Sequence, residues 1–344
     1  MKRILVFCSR DWRHPKAEAP EHYLRCVLAH IARRGHYVAW VAHWPGVCNP
    51  ARSSVEIIDG IQVARMGIRP TYSFMARLML KRMVQGGQLR AHGESRRFDV
   101  IFEAILGNSL SMQHYTELPV TPIVFRPPRR KHIPDDGPII APTHTISSAL
   151  AGMGVGNHRI VHARFGWEPT WAGSVEGTNP NGRLPVLAVA HNRPKALLRA
   201  IHAAVGPVQV RLLSQHAQVT APDGMQLERC ASEHVRAVPQ MIPGARAAYL
   251  GPGYEHLALD MNAAGIPTVC DDIPQNREFV NDKETGLLVR RREEAVNAIK
   301  RLVEDNVLRA RLSETAQAWV ERKTWDATAN RIMETIEQVS PSEP

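Results

Sequence analysis

Residues 260–289 narrow the fold more than any other stretch of the chain, because they hold a helix, a buried strand and a polar turn in one continuous run. An acidic residue, Asp260, opens a short helix of small residues, and Gly265, Ile266 and Pro267 stop it. Residues 268–270 then read as a short buried strand, and 285–289 as another after a turn.

The same alternation runs through the rest of the chain. Residues 4–8 and 37–43 read as buried strands around a helix at 21–34 that ends at Gly35, the opening strand-helix-strand unit of a doubly wound sheet. Residues 55–64 carry an Asp-Gly turn between apolar runs and predict a hairpin. Short strands follow at 98–102, 120–125, 138–141 and 159–162, with a helix at 145–153. Between 169 and 185 the pattern gives way to turn formers, which marks a linker. Strands at 186–190, 208–213 and 247–250 and a helix at 195–204 restart the alternation, and 293–337 reads as a run of amphipathic helices. The expected domains are 1–168, 186–322 after the linker 169–185, and a closing segment 323–344.

A chain of 344 residues is long enough for two such domains. No apolar run reaches the roughly 18 residues of a membrane span, and the apolar stretch after Met1 is too short for a signal peptide. Five scattered cysteines fit reduced thiols in a cytoplasmic setting. No cysteine pair, paired histidine motif or Asp-x-Asp strand end offers a metal site, so metal-independent chemistry is expected. The net charge of +10 has two sources in view: 35 of the 43 basic residues are Arg, a skew that a GC-rich genome produces by itself, and a positive surface also attracts anionic partners.

The run 260–289 resembles the donor-binding half of the nucleotide-sugar glycosyltransferases of family 4, where it reads approximately E-A-M-A-x-G-x-P-V-V-x-S, then P-E-x-x, then x-x-G-x-L-V. Residues 21–36, ending Arg34-Gly35-His36, are similar to the family's first helix, and 325–333, opening at Trp325, to its closing helix. Residues 139–166 resemble its S-x-x-x-x-x-x-L and n-G segment. The resemblance implies an α/β fold of GT-B type, two Rossmann-like doubly wound domains facing a cleft, with a last helix that returns to the first domain. It also implies retaining transfer of a sugar from a nucleotide-diphosphate donor, UDP- or GDP-linked, to a hydroxyl acceptor, with no further cofactor.

Site residues follow from the same resemblance. Arg193 and Lys195, directly after the strand 186–190, hold the place of the family's phosphate clamp and would neutralise charge on the leaving diphosphate. Asp260 stands where the second acid binds ribose hydroxyls. The first acid would fall on Pro252, so Glu255 takes its place if the loop is three residues shorter, contacting the donor sugar while the amides of Leu257 and Ala258 face the phosphates. Glu278 matches an acid after the second strand, with a structural capping role. On the acceptor side the family's glycine pair is replaced by Glu18 and Ala19 and its histidine is missing, leaving Glu103, His14 and His114 as candidates.

Two basic stretches bear on partners. Residues 69–83 mix apolar and basic residues either as a core-facing helix or as an interfacial helix making peripheral contact with an anionic membrane. Residues 126–132 form a cationic loop able to meet lipid headgroups, acceptor phosphates or nucleic acid. The acceptor implied is a cell-envelope glycan or lipid-linked sugar. Two alternatives stay open: a glycosyltransferase acting on modified nucleic acid, and a catalytically inactive GT-B relative that binds a polyanion.

Overall fold

The structure is a computed structural model that describes residues 1–14, 16–43, 54–67, 71–86, 98–106, 110–127, 133–169, 184–214, 219–231 and 234–339. The chain divides into two compact units, Met1–Phe165 with Trp325–Pro344, and Gly166–Thr324. Both units are parallel sheets covered by helices, which is the α/β class expected.

In the first unit the strands are β1 Arg3–Phe7, β2 Tyr37–Ala42, β3 Ser54–Ile58, β4 Ile61–Arg65, β5 Val100–Leu106, β6 Val120–Arg126, β7 Ile139–Ala141 and β8 Ile160–His162. Among the described residues they pair in the order β3-β4-β2-β1-β5-β6-β7-β8, parallel except for β3 against β4. Ile4, Leu5, Val6 and Phe7 of β1 are fully buried, as a central strand covered on both faces requires. The hairpin turns at Asp59 and Gly60, both with positive φ (54° and 78°), the pairing that matches strand twist. Helix α1, Ala19–Arg33, starts with Pro20 in its first turn and Glu21 accepting the Glu18 amide, and ends at Gly35 with φ +84°.

Helix α2, Tyr72–Gly86, buries Tyr72, Ala76 and Leu80, a face at four-residue spacing, in the core of this unit. Its Arg77 is held by the Leu110 carbonyl and lies over the Tyr115 ring. Phe74 on the other face is exposed. Most of the cationic loop 126–132 lies outside the described residues.

The segment Trp325–Val339, helix α9, belongs to this first unit. Trp325 is fully buried among Tyr23, His22 and Phe165, and Thr328 donates to the Arg164 carbonyl. Arg34 at the end of α1 pairs with Asp326.

The second unit holds β9 Val186–Ala190, β10 Gln209–Leu213, β11 Gln226–Arg229, β12 Ala245–Leu250, β13 Thr268–Asp271 and β14 Gly286–Val289. All are parallel, in the order β11-β10-β9-β12-β13-β14. Its helices are α4 Lys195–Val205, α5 His234–Met241, α6 Ala258–Ala263, α7 Arg292–Glu304 and α8 Asn306–Val320, numbered after α3 His144–Gly152 of the first unit. Leu187, Val189, Tyr249, Val269 and Val289 face one core with α4 and α7.

The unit begins earlier than the expected boundary at 168. Trp167 is bridged to Thr324 and donates its indole N–H to the Val320 carbonyl, and the Glu168 amide meets Asp260, so both residues are tied to the second unit. Residues 170–183 of the expected linker lie outside the described residues.

Candidate functional site

The order of the second sheet reverses between β9 and β12. The chain first moves outward through β10 and β11, then returns to the other side of β9. Loops at the carboxyl ends of the two central strands must diverge there, leaving the crevice that open parallel sheets use for ligands. On one side is 191–195, after β9; on the other is 251–255, after β12.

Several contacts fasten these loops together. The Gly251 amide donates to the Ala190 carbonyl at 2.8 Å, and a Cβ on Gly251 would fall 2.6 Å from the His191 ring, so only glycine permits this approach. His191 lies stacked on Tyr249, centroids 5.9 Å apart, and Tyr249 donates its hydroxyl to Asp271. The Tyr254 hydroxyl donates to Asn192 Oδ1 at 2.7 Å. His191 Nδ1 accepts the Arg193 amide at 2.8 Å, which leaves Nε2 to carry the ring proton; burial lowers the pKa of this imidazole and favours its neutral form.

A cavity of about 520 Å³ opens beside this crevice. His191, Tyr249, Leu197, Val289 and Ile273 line it together with Asp271 and Asp272, and Arg193, Arg290, Arg291 and Arg292 supply its charge. Asp272 is held between Arg277 and Arg290 (2.8 and 3.1 Å), and hydrogen bonds from these guanidinium groups push its pKa below the ordinary value. Among the described residues, no carboxylate lies within ion-pair distance of Arg193, Arg291 or Arg292.

The residues singled out from sequence fall into two groups. Arg193 lines the cavity, and Lys195 begins α4 next to it without lining it. Glu255 stands at the start of a single 3-10 turn on the β12 loop, half-buried, its carboxylate accepting the Gly253 amide at 2.9 Å. Burial raises the pKa of Glu255, against the effect of that amide.

The remainder lie outside the cavity lining. The Leu257 amide donates to the Tyr254 carbonyl and the Ala258 amide to Glu255, so neither is directed at a phosphate. Asp260 is 3% exposed and turned to the Glu168 amide (3.4 Å), away from the cavity lining, and burial raises its pKa well above the ordinary value. Glu103, on β5, is buried and accepts the amides of Leu110, Ser111 and Met112, which gives it a structural role in place of an acceptor-side one. His14 rests edge-on against His43 in the first unit, its pKa lowered to about 4 by burial and by His43 and Arg10, and His114, exposed, closes a 3-10 turn. Glu278 ends another such turn after β13.

His191, Tyr249, Asp271 and the Arg290–292 run were not anticipated as site residues. The run was the available signal: three successive cations directly after a strand in a parallel sheet lie at its carboxyl edge. Among the described residues no group of three His, Cys, Asp or Glu side chains could hold a metal ion, and no helix is long and apolar enough to cross a membrane.

The class defined so far is a protein of two Rossmann-like units, the second with the strand order of a nucleotide-binding sheet. Comparison with known proteins narrows it. Residues 234–319 match the family of glycosyl transferases group 1. A stretch of 124 residues is 28% identical to phosphatidyl-myo-inositol mannosyltransferase of Mycobacterium leprae (strain TN); it covers 32% of this chain and 33%, about a third, of that relative. The fold is similar to a glycosyltransferase from Rickettsia africae ESF-5, with a TM-score of 0.71 and 10% identity over 99% of both chains. It is also similar to sucrose-phosphate synthase of Thermosynechococcus elongatus, at 0.67 and 14% over 98% of this chain and 99% of the other. Anabaena HepE in complex with UDP and glucose gives 0.65 and 12% over 98% and 100%. The chain is thus a GT-B protein resembling the family 4 glycosyltransferases.

Proposed function

We propose that this protein transfers a sugar from a nucleotide-diphosphate donor to a hydroxyl acceptor, and that the donor sits at the β9–β12 crevice. The observation that carries this reading is the pair of loops there, one bringing Arg193 and the other Glu255, fastened by the Tyr254–Asn192 hydrogen bond. Departure of a nucleoside diphosphate builds negative charge on the leaving oxygen. A guanidinium at that position stabilises the transition state more than the ground state, which is the requirement for catalysis. Lys195, the first residue of α4, adds a second cation to the same edge. A carboxyl of raised pKa at Glu255 can hydrogen-bond sugar hydroxyls and fix the ring.

UDP is the first nucleotide to try, because the similar HepE structure holds UDP and glucose. The mannosyltransferase relative acts, by its name, on a phosphatidyl-inositol, which supports a lipid-linked or envelope glycan acceptor, met from the cytoplasmic side through peripheral contact with an anionic membrane. Resemblance to family 4 supports retention of anomeric configuration, and metal-independent transfer suits a diphosphate neutralised by Arg193 and Lys195.

Thermal unfolding with UDP-, GDP-, ADP- and dTDP-linked sugars tests the reading. A bound donor at 100 times its Kd adds about 2.7 kcal/mol, and the resulting rise in midpoint should appear with one base and vanish in Arg193→Ala. No rise with any nucleotide, or a rise that Arg193→Ala keeps, would reject the site.

A further inference from the structure

The diphosphate clamp leaves most of the cavity's charge without a function. Arg193 comes from the end of β9, whereas Arg290, Arg291 and Arg292 come from the end of β14, with β12 and β13 between. At a spacing of about 4.8 Å per strand, the two backbone positions stand roughly 14 Å apart, so the cations reach in from opposite sides. Arg291 and Arg292 also open helix α7, whose first turn carries Glu293 and Glu294, yet among the described residues neither arginine forms an ion pair with a carboxylate. Exposed guanidinium groups at a cavity that no ion pair engages are placed to take an anion from outside the chain. Asp271, within the same cavity, accepts with its carboxylate only the Tyr249 hydroxyl among the described residues and keeps further lone pairs for ligand hydroxyls.

Guanidinium groups for an anion and a carboxylate for hydroxyls, side by side, describe the two functional groups of a sugar acid. We propose that the cavity is the subsite for the donor sugar and that this sugar is acidic, a nucleotide-linked uronic acid whose carboxylate is held by Arg291 and Arg292 while Asp271 accepts from its ring hydroxyls. Planar, bidentate carboxylate recognition is the task for which arginine is suited over lysine. The inference rests on the donor reading above.

Calorimetric titration of the 344-residue protein separates the two. The free nucleoside diphosphate, the nucleotide-linked neutral hexose and the nucleotide-linked uronic acid are each titrated into the wild type and into the double variant Arg291→Gln/Arg292→Gln. The wild type should bind the uronic acid at least tenfold more tightly than the hexose; the double variant should lose that preference and keep its affinity for the free nucleotide. Both side chains are exposed, so the variant should fold, which circular dichroism checks. Equal affinity for acid and neutral sugars in the wild type, or a preference that survives in the double variant, overturns the inference and leaves the donor reading standing. Failure of every nucleotide to bind removes the donor reading, and the subsite falls with it. A sugar phosphate without nucleotide that binds independently of UDP and is lost in the double variant would make the cavity a separate effector site, which also overturns the assignment.

Discussion

The two sheets have the same kind of switch point and opposite electrostatics around it. In the first unit the strand order reverses at β1 and β5, and the charged groups described near their ends are committed to one another. Arg65 meets Asp11 at 2.6 Å with both side chains buried, Arg10 meets Glu21 at 2.7 Å, and Glu103 is filled by three amides. In the second unit Arg193, Arg291 and Arg292 have no ion pair among the described residues. Topology alone therefore does not create a binding site. An edge becomes one when its charges are left for something outside the chain.

The comparison can be broken from either side. The largest effect is expected at Glu103. Glu103→Ala leaves three amides without their acceptor and should lower stability by about 3 kcal/mol, measured by urea unfolding, while nucleotide affinity of any folded protein stays at the wild-type level. A loss of affinity with intact stability would return Glu103 to the catalytic side.

A smaller effect, in the second unit, is expected from Gly251→Ala. The added methyl would lie 2.6 Å from the His191 ring, forcing the ring from Tyr249 and opening the crevice. About 1–2 kcal/mol of stability should go, together with at least a tenfold loss in nucleotide binding by titration. Unchanged binding would show that the close approach of these loops has no part in the site.

The smallest and oppositely signed effect is at Asp260. Its folded pKa lies above the unfolded value, so the folded state holds a proton that the unfolded chain releases. The stability linked to that proton is fully present below the unfolded pKa of about 4 and is lost as pH rises toward the folded value. Asp260→Asn, which cannot ionise, should gain about 1 kcal/mol over the wild type at pH 8, and the gain should shrink toward pH 4. Thermal unfolding across that range checks it; a loss of nucleotide binding with no pH-dependent gain would restore Asp260 as a ribose ligand.

Much of the fold was legible because it depends on local pattern. The run 186–190 is apolar throughout and is β9, and the Asp-Gly pair at 59–60 set the hairpin register. The strand β11, Gln226–Arg229, left no such trace: it lies at the sheet edge, half-exposed to exposed, and needs no apolar period. The site was legible in part. Arg193 could be placed by counting from a strand end, but whether a charge is left over depends on neighbours distant in sequence. Asp260 and Glu103 look like site acids in a row of letters. Residues 92 positions away in one case and seven to nine away in the other hold them. The cavity cations escaped notice for the converse reason, since nothing within Arg290–292 says that Asp272 engages only one of the three.

The placement of helix α9 has a consequence for synthesis. The second unit is one continuous span of chain, while the first must wait for Trp325 to seat among Tyr23, His22 and Phe165. Contacts across so long a separation form slowly, and domains made as continuous spans fold as units while translation proceeds. The second unit is therefore complete before the half that was made first, and an interrupted translation product would carry a finished second unit beside a first unit with an open apolar face.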